Sequence, residues 1–109
     1  IILTNPPFGA DIKSTEHNYL SNFDLGKGKN NKKTEILFIE RCIEFVKPNT
    51  GRIAIVLPDS IALNKSLQYV RDFIISKTEI LAIVSLPDFA FSHFGANVKS
   101  SLFFLKRNV

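Results

Sequence analysis

Apolar positions along this chain switch between two spacings. Ile36, Ile39, Ile43 and Val46 recur at helical intervals with Phe38, Cys42 and Phe45 beside them, the signature of one buried helix face. Thr34 stands where an N-cap is wanted and Glu35 falls in the first turn. Glu40, Arg41, Glu44 and Lys47 map to the opposite, solvent-facing side, and Lys47-Pro48 ends the helix. After the turn Pro48-Asn49-Thr50-Gly51, the run Arg52 to Leu57 is continuously apolar, as expected of a strand covered on both faces. Asn64 or Ser66 caps a second predicted helix, with Leu67, Val70, Phe73 and Ile74 inward and Gln68, Arg71 and Asp72 outward. Ile80 to Leu86 and Ser101 to Leu105 read as further strands, and Ile1-Ile2-Leu3 as the end of a buried one.

The order is strand, helix, strand, helix, strand, loop, strand. Strands that alternate with helices run parallel through right-handed crossovers, whereas the 13 residues from 87 to 99 suit an antiparallel return. The predicted class is α/β: three parallel strands alternating with helices, plus a final antiparallel strand, in one domain over residues 1–109. In such a sheet, ligands bind beyond the carboxyl ends of the strands. Residues 5–33, 58–65 and 87–99 all leave from that edge, so they are expected to face one cleft.

Composition narrows the classes. With 45% hydrophobic and 11% aromatic residues in 109, the chain can build a core. The single Cys42 excludes an internal disulfide or a cysteine-based zinc site and suits a reducing cytosol. His93 lacks partners for a metal site, so none is expected. Nothing resembles a membrane span, and a cytoplasmic location in a bacterium or archaeon is expected. Met is absent and the chain starts inside an apolar run, which points to a piece of a longer protein. A net charge of +4 suits a polyanionic partner. Four lysines fall within the eight residues Gly26 to Lys33, which read as a flexible basic loop: either a flap over phosphates or a solvated linker.

The candidate chemistry lies at the end of the first strand, in Asn5-Pro6-Pro7-Phe8. Proline fixes φ and lacks an N–H, so this is a stiff turn with free carbonyls. The Asn5 side-chain oxygen and a neighbouring carbonyl can accept from one amino group, and the Phe8 ring can stack on a planar base. The motif resembles that of S-adenosylmethionine-dependent amino-group methyltransferases, above all the adenine-N6 DNA methylases. Residues 34–59 resemble the segment after the catalytic motif in methylase subunits of type I restriction-modification systems, and Phe94-Gly95-Ala96-Asn97-Val98-Lys99-Ser100-Ser101 resembles their last motif. The fold this implies is the C-terminal half of a Rossmann-like methyltransferase domain, ending in a reversed strand.

The resemblance implies methylation of adenine N6 in DNA. Asn5, Pro6, Pro7 and Phe8 are the catalytic candidates, with Asn5 also toward the cofactor, S-adenosylmethionine. Asp59, Phe94, Asn97 and Lys99 are candidates for substrate contact, and Phe8 and Phe94 for holding a base extruded from the duplex. The implied partners are DNA and a specificity subunit or target-recognition domain. The family's glycine-rich turn and acidic cofactor residue are absent from this sequence. The chain alone is therefore expected to bind the cofactor poorly, to be inactive, and to self-associate through an exposed sheet edge. Two rival readings stay open: methylation of ribosomal RNA bases or protein glutamine, and a non-catalytic half-domain that binds a partner.

Overall fold

The alternation of strands and helices is present in a computed structural model, which describes residues 1–8, 11–13, 22–26, 31–88 and 98–109. In chain order the elements are β1 (Ile2–Thr4), β2 (Asp11–Lys13), β3 (Asn31–Lys33), α1 (Thr34–Phe45), β4 (Arg52–Pro58), α2 (Ser60–Leu63), a 3-10 turn at Lys65–Leu67, α3 (Gln68–Lys77), β5 (Thr78–Ser85) and β6 (Ser100–Arg107). The main sheet has the order β1-β4-β6-β5. β1 runs parallel to β4, and β6 is antiparallel to both β4 and β5. The three strands that precede or alternate with helices are therefore parallel to one another, as expected, and the reversed last strand is wedged between two of them.

The helices pack on one side of this sheet. Ile53, Ile55 and Leu57 of β4 and Phe103 and Leu105 of β6 meet Ile36, Ile39, Cys42, Ile43 and Val46 of α1, together with Ile61, Val70 and Ile74. Burying one such side chain contributes about 2 kcal/mol. The expectation that β4 is covered on both faces is corrected. On its other face Ala54 and Val56 are only half-buried, like Leu102 and Phe104 beside them, because no described element packs there. β1 and β5 form the edges, and Leu3 is 78% exposed. Ile80, Leu81, Ile83 and Val84 of β5 are exposed as well.

Five local expectations are also corrected. Lys33, not Thr34, is the N-cap of α1, in extended geometry and without a side-chain cap bond. Glu40 is buried rather than solvent-facing: its carboxylate accepts the backbone N–H groups of Asp24 and Leu25, both at 2.9 Å. Arg71 is half-buried, donating to the carbonyls of Ile61 and Asn64, while Asn64 caps the 3-10 turn rather than α3. The stretch read as a basic loop ends in β3, which pairs antiparallel with β2; Lys27 to Asn30 lie outside the described residues.

The end of α1 is closed tightly. Asn49 takes a φ of 70°, which asparagine tolerates, and the Gly51 N–H donates to the Lys47 carbonyl at 2.7 Å. A Cβ on Gly51 would come within 2.6 Å of Val46 Cβ, so only glycine fits. The Arg107 guanidinium donates to the carbonyls of Glu44 and Val46, placing a cation at the negative end of the helix.

Candidate active site

The Asn-Pro-Pro-Phe turn leaves β1 at the carboxyl edge of the sheet. Thr4 is level with Ile55, so the turn runs alongside the last residues of β4. Asn5 is exposed, Pro6 buried, Pro7 exposed and Phe8 half-buried. Among the described residues no peptide bond is cis. The buried Pro6 seats the turn, which leaves the Asn5 amide toward solvent, where a ligand can reach it. The Pro7 carbonyl accepts the Thr34 hydroxyl at 3.3 Å, a link from the turn to the first residue of α1. Glu35, next in the chain, is buried in the first turn of that helix, and its Oε2 has no hydrogen-bond partner.

The ends of β4 and β5 and the start of β6 meet at the same edge. The Asp59 N–H donates to the Lys99 carbonyl at 2.9 Å, and the Leu86 N–H to the Ser100 carbonyl at 3.1 Å. The Asp59 carboxylate accepts the Ser101 hydroxyl at 2.7 Å. The Lys99 ammonium donates to the Ser85 hydroxyl at 2.9 Å and to the Leu86 carbonyl, and lies 3.6 Å from the exposed Asp88 carboxylate. Of the three substrate-contact candidates among the described residues, Asp59 and Lys99 are thus engaged in holding three strand ends together, and Phe8 stands half-buried on the turn itself. Phe94 and Asn97 lie outside the described residues, as do Phe89, Phe91, His93 and His17.

Sequence reasoning missed three side chains that tie distant parts of the chain together, two of them at this edge and one, Glu40, away from it. In the sequence Thr34 has the pattern of a cap, Glu40 that of a surface residue, and Ser101 that of the first residue of an apolar strand. Their partners are a carbonyl, two amides and a carboxylate 27, 15 to 16 and 42 positions away, and no local pattern encodes such separations. Arg41, beside Glu40, lies over the Phe23 ring at 4.4 Å, so the segment around Leu25 is clasped to α1 from two sides. The long connection from the Asn5 turn to α1 is therefore pinned midway.

Elsewhere the chemistry is unremarkable. A cavity of about 150 Å³ lined by Asp24, Glu40, Glu44, Lys77 and Arg107 lies at the end of the sheet opposite the Asn5 turn. Burial pushes the Cys42 thiol upward. Among the described residues no group of three His, Cys, Asp or Glu side chains converges, and no helix is long and apolar enough to cross a membrane.

The sequence model of the family described as N-6 DNA Methylase matches residues 1–109. Among solved structures, a protein from Listeria monocytogenes described as a class I S-adenosylmethionine-dependent methyltransferase matches with a TM-score of 0.81 and 21% identity, over 99% of this chain and 32% of that one. A type I restriction enzyme modification subunit from Vibrio vulnificus matches with a TM-score of 0.78 and 24% identity, over 97% and 22%. The M protein of the type I restriction enzyme EcoKI matches with 0.73 and 25%, over 99% and 21%. The chain spans 21% to 32% of the length of these proteins. No curated protein matches it. The sheet is that of a partial Rossmann-like methyltransferase fold.

Proposed function

The chain belongs to the N-6 DNA methylase family, and from that premise we propose that it carries the substrate half of an S-adenosylmethionine-dependent DNA adenine-N6 methyltransferase of a restriction-modification system. The observation that supports this most is the Asn5 amide exposed at the carboxyl end of β1, on a turn seated by the buried Pro6. The adenine amino group is a weak nucleophile because its lone pair is delocalised into the ring. By accepting a hydrogen bond from each amine N–H, the Asn5 side-chain oxygen and the Pro6 carbonyl favour a tetrahedral nitrogen and hold it in line for attack. When bound, S-adenosylmethionine supplies an electrophilic methyl on a sulfonium. Phe8, half-buried at the end of the turn, offers a ring to hold the extruded base.

The chain's own contribution to the cofactor is limited to Asn5, at the end of an edge strand. The glycine-rich turn and the acidic residue that complete such a site are not in this sequence. Charge supports a polyanionic substrate, with +4 net and Lys32 and Lys33 on the ribbon that leads into α1. A specificity subunit or target-recognition domain would choose the DNA site.

The test is methyl transfer from labelled S-adenosylmethionine by the full-length protein that carries these residues. N6-methyladenine in DNA is the expected product, and Asn5→Ala is expected to lower the rate at least about 10²-fold. Methyl groups on RNA or on protein glutamine, or an Asn5→Ala variant as active as wild type, would overturn the reading.

A further inference from the structure

The turn that carries Asn5 can be held in few ways. Pro6 and Pro7 have no N–H, so half of the four residues from Asn5 to Phe8 cannot donate a backbone hydrogen bond. What remains is the packing of Pro6, the N–H groups of Asn5 and Phe8, and the carbonyl oxygens. One of those carbonyls, that of Pro7, accepts the Thr34 hydroxyl at 3.3 Å across 27 positions of chain. We propose that Thr34 is a positioning residue for methyl transfer, which by holding the Pro7 carbonyl aims the Pro6 carbonyl, the Asn5 amide and the Phe8 ring at the substrate amine. This inference rests on the reading of the Asn5 turn as the site of transfer.

The geometry of proline makes one bond enough. The Pro6 carbonyl lies in the peptide plane before Pro7, and the Pro7 carbonyl in the plane after it. Between these planes there are two dihedrals, and the pyrrolidine ring locks one of them, φ, near −65°. Only ψ of Pro7 is left to turn. A bond to the Pro7 oxygen fixes that angle, and with it the direction of the Pro6 oxygen on one side and the start of Phe8 on the other.

Thr34 is well placed to act as the fixed point. It opens α1, whose next turns bury Ile36, Leu37, Ile39 and Glu40, so its Cα moves with the core. Lys33, not Thr34, occupies the N-cap position. β3 ends at Lys33, which brings the β2–β3 ribbon and the catalytic turn to one anchor point. An exposed neutral hydrogen bond adds little to folding stability, whereas misplacing reacting groups by about 1 Å costs about 10²-fold in rate. The expected signature is a loss of kcat without a loss of fold.

The experiment compares wild type, Thr34→Val, Thr34→Ser and Asn5→Ala in the full-length protein, measuring single-turnover methyl transfer to unmethylated DNA, DNA affinity by anisotropy, and thermal unfolding. Thr34→Val is expected to lower the transfer rate about 10-fold or more with DNA affinity and Tm unchanged, and Thr34→Ser to restore it. A Thr34→Val variant with the wild-type rate, a loss of Tm and DNA affinity in step with rate, or failure of Thr34→Ser to restore the rate would overturn the role of Thr34 while leaving Asn5 in place. Wild type that transfers no methyl, or Asn5→Ala equal to wild type, would overturn the underlying site and the inference with it.

Discussion

The Ser101 hydroxyl donates to the Asp59 carboxylate at 2.7 Å, joining the start of β6 to the residue that follows β4. The two are 42 positions apart. Together with the bond from the Asp59 N–H to the Lys99 carbonyl, this fixes the distance between two strand ends on the edge that carries the Asn5 turn.

Ser101→Ala is expected to cost about 1 kcal/mol of stability, the net worth of one partly buried hydrogen bond. Asp59→Ala is expected to cost more, because it leaves a buried hydroxyl without its acceptor. Denaturant unfolding of the two single variants and the double variant gives a coupling energy, expected near 1 kcal/mol; a coupling of zero would show that the two side chains act independently.

Glu40→Ala is expected to destabilise by about 2–3 kcal/mol, because the backbone N–H groups of Asp24 and Leu25 lose a charged acceptor in a buried place. Glu40→Gln keeps one oxygen and is expected to lose about half as much. The local readout is amide hydrogen exchange at Leu25, which is expected to speed up in Glu40→Ala more than exchange in the core of β4. Equal acceleration everywhere would mean the clasp is only part of global folding.

Burial pushes the Cys42 thiol above its ordinary value of 9.0. The folded chain therefore prefers the protonated thiol more strongly than the unfolded chain does. This preference is fully present below 9.0 and is lost as pH rises from there toward the higher folded value, since the unfolded thiol ionises first. Stability is expected to fall over that alkaline range in wild type and less in Cys42→Ala, as followed by unfolding at several pH values. Native Cys42 is also expected to react slowly with thiol reagents at pH 8. Rapid labelling without unfolding would contradict its burial.

How far the chain could be read without coordinates depended on the range of each interaction. The apolar runs at Ile53–Leu57 and Ile80–Leu86 and the helical spacing of Ile36, Ile39 and Ile43 are local, and the elements stand where these patterns put them, with β5 starting two residues earlier, at Thr78, and ending one earlier, at Ser85. The stiff Asn5 turn was legible because prolines restrict the backbone wherever they occur. Glu40 was read as surface because a carboxylate usually prefers water, but two amides with no sequence signature make its burial favourable. The run Ile53–Leu57 implied cover on both faces, yet Ala54 and Val56 lack a described neighbour on theirs. Nor does the composition of β6 say that it lies between β4 and β5, since an apolar strand reads alike in any position. Thr34 has the right chemistry for a cap, but its hydroxyl bonds the carbonyl of Pro7, which only the folded chain brings near.

β4 and β5 share no ladder, and β6, which joins them, follows both in the chain. A ribosome making this polypeptide releases the two flanking pieces before the connecting one. Until residues 100–107 clear the exit tunnel, the nascent molecule holds two open apolar ribbons that a chaperone could recognise. Completion then requires insertion between partners already made, rather than addition at a margin. The arrangement of the Asn5 corner relative to Asp59 is therefore set only once β6 has joined the sheet.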